Sequence, residues 1–202
     1  MPKIGVRLPR LIGSAGEYLA DVSALESAGV DTIWLESGGP DAWVILGALA
    51  AATQRVRLGC ILAPGAFHGA AQVNAGISSA QKLSRDRIVL AVPASDVTSA
   101  RTTGARTFSL GSTQDITVDG VIHKLTAPGD LPGPDQTHVN QTHIEVWGDI
   151  VMPADREAWT ATMSAYETAG LTGVIVPWDA RLVDLLRNAE PDDRSDLSMS
   201  TG

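Results

Sequence analysis

Carboxylates that directly follow short apolar runs stand where a β-strand passes into a loop, a place from which an acid can give or take a proton. Glu36 closes Thr32-Ile33-Trp34-Leu35, Asp96 comes shortly after Val89-Leu90-Ala91-Val92, and Asp149 and Asp179 follow Trp147-Gly148 and Trp178. Glu36 and Asp96 are the candidate catalytic residues, with Asp149 available to the same acid-base chemistry. Each has a plainer alternative: Glu36 as a solvated loop carboxylate, Asp96 as the cap of a following short helix. Arg7 ends another apolar run and is the cation of this set. Trp147 and Trp178, at strand ends, are placed to stack on a planar ring, whereas Trp34, Trp43 and Trp159 read as core packing. His68, His123, His138 and His143 show no metal-binding spacing, so no metal site is expected. Cys60 is the only cysteine, which excludes an internal disulfide.

The elements that must hold these residues repeat one pattern. Ile4, Val6 and Leu8 alternate as a first strand before Pro9. Ser14, with Glu17 three residues on, reads as a helix start. Leu19, Val22, Leu25 and Ala28 keep helical spacing up to Gly29, and the strand Thr32–Glu36 follows at once. A second helix begins after the acidic Asp41 and presents Trp43, Leu46, Leu49 and Ala50 on one face; the run Val56–Ala63 comes next. A helix over about 70–83 then precedes a strand over 87–92. Successive helix-to-strand units imply parallel strands covered by helices.

The stretch Ser164–Val176 copies the grammar of Ser23–Leu35, with five of thirteen positions identical. Such an internal repeat favours a closed barrel over an open sheet. Between the copies, residues 106–110 and 143–147 are strand candidates. Asp119-Gly120, flanked by alternating apolar residues, signals a β-hairpin insertion near 115–126. Six or seven strands plus this hairpin describe an abbreviated TIM-type (β/α) barrel. One domain over 1–190 and a disordered tail over 191–202 are expected. A length of 202 residues is close to the lower limit of about 200 for such a barrel.

A net charge of −8 and a pI near 4.8, with no Lys/Arg cluster, disfavour a nucleic-acid partner. No apolar run is long enough for a membrane span, and the opening MPKIGVRLP lacks a signal-peptide layout, so a cytoplasmic location is expected.

The helix ending ALESAGVDTIWLES, the following proline and acid, and the helix ending ALAAATQRVRLG resemble the N-terminal half of bacterial luciferase-like monooxygenases and their relatives that use the deazaflavin coenzyme F420. The likeness is strongest over about 3–92 and is recognisable again over 112–190. It implies an oxidoreductase binding FMN or coenzyme F420 in the barrel mouth, acting on a small organic substrate, and paired as a homodimer through its second and third helices. It also implies cofactor contacts from Arg7, Gly59, Cys60, Ile61, Trp147 and Trp178, with a non-prolyl cis peptide at the end of the third strand backing the ring. Glu36 matches a polar or acidic position after the second strand of cofactor-using members. Asp96 stands where sugar-phosphate dehydrogenases of the deazaflavin branch carry a glutamate. The chain departs from the family at Val92-Pro93-Ala94-Ser95-Asp96, where many members are glycine-rich, and in lacking a long helix before the hairpin. Those departures suit a second reading, a non-catalytic flavin-binding or partner-subunit protein. A third is a cofactor-free isomerase or lyase using Glu36, Asp96 or Asp149.

Overall fold

The computed structural model describes residues 1–9, 13–37, 42–111, 118–131 and 144–187. Eight strands close into one barrel in chain order: β1 (Lys3–Arg7), β2 (Thr32–Glu36), β3 (Arg57–Ile61), β4 (Ile88–Pro93), β5 (Arg106–Leu110), β6 (Gly120–Lys124), β7 (Glu145–Asp149) and β8 (Gly173–Pro177). Every neighbouring pair is parallel, and β1 meets β8 in register from Lys3 opposite Gly173 to Arg7 opposite Pro177. The count is therefore eight, not six or seven. Gly120–Lys124 is no hairpin arm but a barrel strand, bonded in parallel to both β5 and β7. Residues 115–117 of the other proposed arm, His143, Asp41 and the tail expected after 190 lie outside the described residues.

Helices α1 (Ala15–Ser27), α2 (Ala42–Ala52), α3 (Ala70–Ser84), α4 (Val97–Arg101), α5 (Arg156–Thr168) and α6 (Leu182–Arg187) pack on the outside. Ser14 caps α1 by accepting from the Glu17 N–H at 3.4 Å, and Asp155 caps α5 by accepting from the Ala158 N–H at 2.8 Å. The two repeat copies end alike. The Val30 N–H reaches the Leu25 carbonyl at 3.1 Å and the Leu171 N–H reaches Tyr166 at 3.0 Å, with Gly29 and Gly170 both at φ +90°, the left-handed cap that lets a helix turn straight into a strand.

Two separate apolar layers result. Outward strand residues such as Ile4, Val6, Ile33, Leu58, Leu90 and Val174 are buried against Val22, Leu25, Leu46, Leu49, Ile77 and Met163 of the helices. Inward residues Trp34, Val89, Ala91, Phe108, Ile122, Trp147 and Ile175 fill the barrel itself. Trp34, Phe108 and Trp147 meet edge to face with centroids 6.1 to 6.5 Å apart, the arrangement the ring quadrupoles favour. Glycines make room for them: a Cβ at Gly59 would lie 2.2 Å from the Trp34 ring, and one at Gly120 would lie 2.1 Å from Phe108. No helix among the described residues is long and apolar enough to cross a membrane.

Candidate active site at the barrel mouth

Strand alternation sends every second side chain inward, so the last inward residue of each strand faces the carboxyl-end mouth where barrel enzymes work. These are Arg7, Glu36, Ile61, Pro93, Leu110, Lys124, Asp149 and Pro177 of β1 to β8 respectively. They divide the mouth. The arc from β6 round to β2 carries Lys124, Asp149, Arg7 and Glu36, interrupted by Pro177. The arc over β3 to β5 is apolar, with Ile61 and Leu110 resting partly buried on the aromatic interior.

Arg7 Nη1 donates to Asp149 Oδ2 at 2.7 Å, and its Nε stands 3.7 Å from Glu36 Oε1. All three side chains keep roughly a fifth to a quarter of their surface open, so the group is held but reachable. A cavity of about 260 Å³ opens beside it, lined by Arg7, Leu8, Pro9, Glu36, Pro177 and Trp178. The Trp178 N–H fixes that rim by donating to the Arg7 carbonyl at 2.8 Å, and Leu8 donates to Trp34 at 2.9 Å.

Arg7, Glu36, Trp178 and Ile61 are thus brought to one opening. The other expected site residues are not. Asp96 spends its carboxylate on the Gly65 N–H at 2.9 Å, tying the loop after β3 to the start of α4, and it makes no side-chain cap bond there. Cys60 faces the helix layer, fully buried, and burial pushes its thiol up to about 12. A tryptophan at position 60 would overpack that layer instead of filling a ring site. Gly59 lies beneath Trp34. Trp147 is the middle residue of β7, wholly buried, with its Nε1 donating to Glu145 Oε2 at 2.8 Å and the Arg57 guanidinium 5.5 Å over its ring. The expected cis peptide is absent: among the described residues every peptide bond is trans. Lys124, Leu110 and Pro93 complete the mouth and were missed; reading 120–124 as a parallel strand ending on an inward lysine is the signal that finds Lys124.

The opposite, amino-end opening is braced by charge, beside a cavity of about 460 Å³ that Lys3, Asp31, Arg57 and Arg106 help to line. Glu145 accepts from Lys3 at 2.9 Å, Arg57 at 3.1 Å and Arg106 at 3.3 Å as well as from Trp147, and Arg57 Nε also bonds Asp31 at 2.8 Å. Burial alone would raise the Glu145 carboxyl; the bonds from Lys3, Trp147 and Arg57 outweigh it and hold the group down to about 2.

Similarity to known proteins fits this architecture. An F420-dependent secondary alcohol dehydrogenase, solved with an F420-acetone adduct, superposes with a TM-score of 0.75 at 12% identity over 94% of this chain and 98% of that one. The coenzyme F420-dependent tetrahydromethanopterin reductase of Methanopyrus kandleri gives 0.71 at 10% identity, over 92% and 96%. A tryptophan synthase α-subunit from Pyrococcus furiosus gives 0.61 at 13%, over 93% and 94%, so the likeness at these identities is one of fold. No curated protein matches the chain. The sequence profile of the family described as luciferase-like monooxygenase matches residues 7–110, just over half of the chain. The chain belongs to the luciferase-like monooxygenase family.

Proposed function

We propose that the protein is an oxidoreductase that binds FMN or coenzyme F420 at the barrel mouth and acts on a small organic substrate in the cytoplasm. The observation that carries this reading is the divided mouth, in which a positioned guanidinium and an indole stand beside an apolar shelf in a chain of the luciferase-like monooxygenase family. The residues present suit such a ring. Arg7 offers N–H donors to ring oxygens, Trp178 offers a stacking face, and Ile61 with Leu110 offers an apolar floor. A cavity of about 260 Å³ takes a ring end and leaves the remainder of a cofactor outside. When bound, the cofactor supplies hydride chemistry; the protein orients it and keeps water away. Asp149 holds Arg7 in place, Glu36 moves a proton to or from a substrate oxygen at its Oε1, and Asp96 positions the β3–α3 loop from outside the mouth.

A homodimer through α2 and α3 belongs to the same proposal. The eleven residues of α2 include no polar side chain, and Val44 and Leu83 remain 70% and 63% exposed on that side. A species of one chain's mass in light scattering at micromolar concentration would contradict it.

The second reading is a flavin-binding or partner-subunit protein without turnover, suited by Val92-Pro93-Ala94-Ser95-Asp96 in place of a glycine-rich run. Titration with FMN and with F420, followed by visible absorbance and bleaching with dithionite, tests cofactor uptake, and reoxidation of the reduced cofactor by added carbonyl compounds or oxygen separates turnover from binding alone. Binding with reversible bleaching, weakened about tenfold or more in Arg7→Ala, supports the oxidoreductase. No uptake of either cofactor rejects it.

A further inference from the structure

Among the described residues, two of the strand-end positions at the mouth carry cations, Arg7 and Lys124, and they are not equivalent. Arg7 is bonded to Asp149 at 2.7 Å and faces Glu36 at 3.7 Å, so two carboxylates attend one guanidinium. That setting suits a neutral acceptor, since an anion arriving there meets both carboxylates. Lys124 differs. It closes β6 on the inward side, in line with Gly120 under Phe108 and Ile122 in the barrel core, and its side chain is exposed. Its strand partner in register is Asp149, already committed to Arg7, and the described residues give the Lys124 ammonium no ion pair of its own. On its other side β6 pairs with β5, whose last inward residue is Leu110, beginning the apolar arc that runs through Pro93 to Ile61. An available ammonium therefore stands at the boundary between the charged and apolar halves.

We propose that Lys124 is an anion-binding residue of this mouth and that the ligand it takes is an amphipathic anion. The apolar body of that ligand lies over Leu110, Pro93 and Ile61, and its carboxylate or phosphate meets the Lys124 Nζ. This rests on the mouth being the ligand site but on neither flavin nor deazaflavin being the ligand. The lysine stem spans the apolar edge while its head stays in water, so the contact forms without burying an unpaired charge. A charge-assisted bond with its head in water is worth about threefold to fivefold in affinity.

The test uses the full chain and two fluorescent probes of matched aromatic shape, anilinonaphthalene sulfonate and uncharged N-phenylnaphthylamine, titrated into wild type, Lys124→Ala and Lys124→Arg. Wild type should bind the sulfonate. Lys124→Ala should weaken it about threefold to fivefold while leaving the neutral probe unchanged to within about 1.5-fold, and Lys124→Arg should restore it. Circular dichroism of both variants should match wild type. Equal losses for the two probes, sulfonate binding indifferent to Lys124→Ala, or no sulfonate binding by wild type would each overturn the proposal. FMN against riboflavin, which share a ring and differ in the phosphate, then separates the sources of the anion. A preference for FMN that Lys124→Ala removes assigns the phosphate. Failure of both flavins and of F420 beside a positive sulfonate result rejects the cofactor reading, keeps this one and points to a carboxylate substrate.

Discussion

The two ends of the barrel are built from the same materials, cations and carboxylates on inward strand positions, and they do opposite things with them. At the floor, Glu145 draws in Lys3, Arg57, Arg106 and the Trp147 N–H, and its side chain is 11% exposed. At the mouth, Arg7 has one short ionic bond and one longer approach, its side chain is 27% exposed, and a cavity adjoins it. The lesson is that the number of ionisable groups does not make a site. A cavity adjoins the floor as well, so what distinguishes the mouth is bonding capacity left over: Arg7 has one short bond, whereas Glu145 is shared by three cations and an indole.

The contrast depends on the aromatic layer between the ends, so removing that layer should have the largest effect. Gly120→Val drives a side chain into Phe108 and toward the Glu145 carbonyl. It should cost about 3 kcal/mol or more, or prevent folding, as read by urea unfolding. Near-wild-type stability would mean that the rings do not fill the barrel.

Glu145→Gln should come next. Three cations lose their shared carboxylate, at a cost of about 3 kcal/mol, while probe binding at the mouth holds. The same group sets an acid limit. Its folded value is depressed from 4.5 to about 2, so the stability it contributes is full above about 4.5 and is lost as pH falls toward 2, about 3 kcal/mol in all. Glu145→Gln should flatten that part of the stability-pH curve; an unchanged slope would assign acid unfolding to other groups.

Asp96→Ala removes the acceptor of the Gly65 N–H and should cost about 1 kcal/mol, with proteolysis appearing first in the loop after β3. Smallest in stability is Arg7→Ala, less than about 1 kcal/mol because the pair is partly solvated, yet its effect on ligand affinity should be the greatest of the four. If Arg7→Ala instead destabilised as strongly as Glu145→Gln, floor and mouth would both be structural.

What was legible in the sequence follows the range of the forces involved. The α1–β2 and α5–β8 units are written locally, in a capping serine or aspartate, helical spacing and a glycine at the turn. Strand β6 was not, because its partners are Phe108 and Glu145, distant in sequence. Asp119 beside Gly120 looks like a tight turn but serves as a brace: its carboxylate accepts from the Thr107 N–H at 2.7 Å and its carbonyl from Glu145 N–H at 3.0 Å. In the site, Arg7, Glu36 and Trp178 were legible as strand-end residues. Trp147 was misplaced because β7 ends at Asp149, two residues later than the expected strand, which moves the indole from rim to interior. Cys60 was assigned to the wrong surface because a parallel strand is apolar on both faces, and alternation there gives no sign of which side is inward; Gly59 does face inward, but beneath Trp34 and not at the mouth.

The lone thiol gives the protein a built-in reporter. Cys60 sits at zero exposure on β3, sealed under the helices, with its proton held to about pH 12. A thiol-specific reagent therefore meets no reactive sulfur on the intact barrel, and any modification at neutral pH counts excursions that lift the helix layer off β3. Labelling rates as a function of reagent concentration then measure that opening at one defined position, since the chain offers a single place to react.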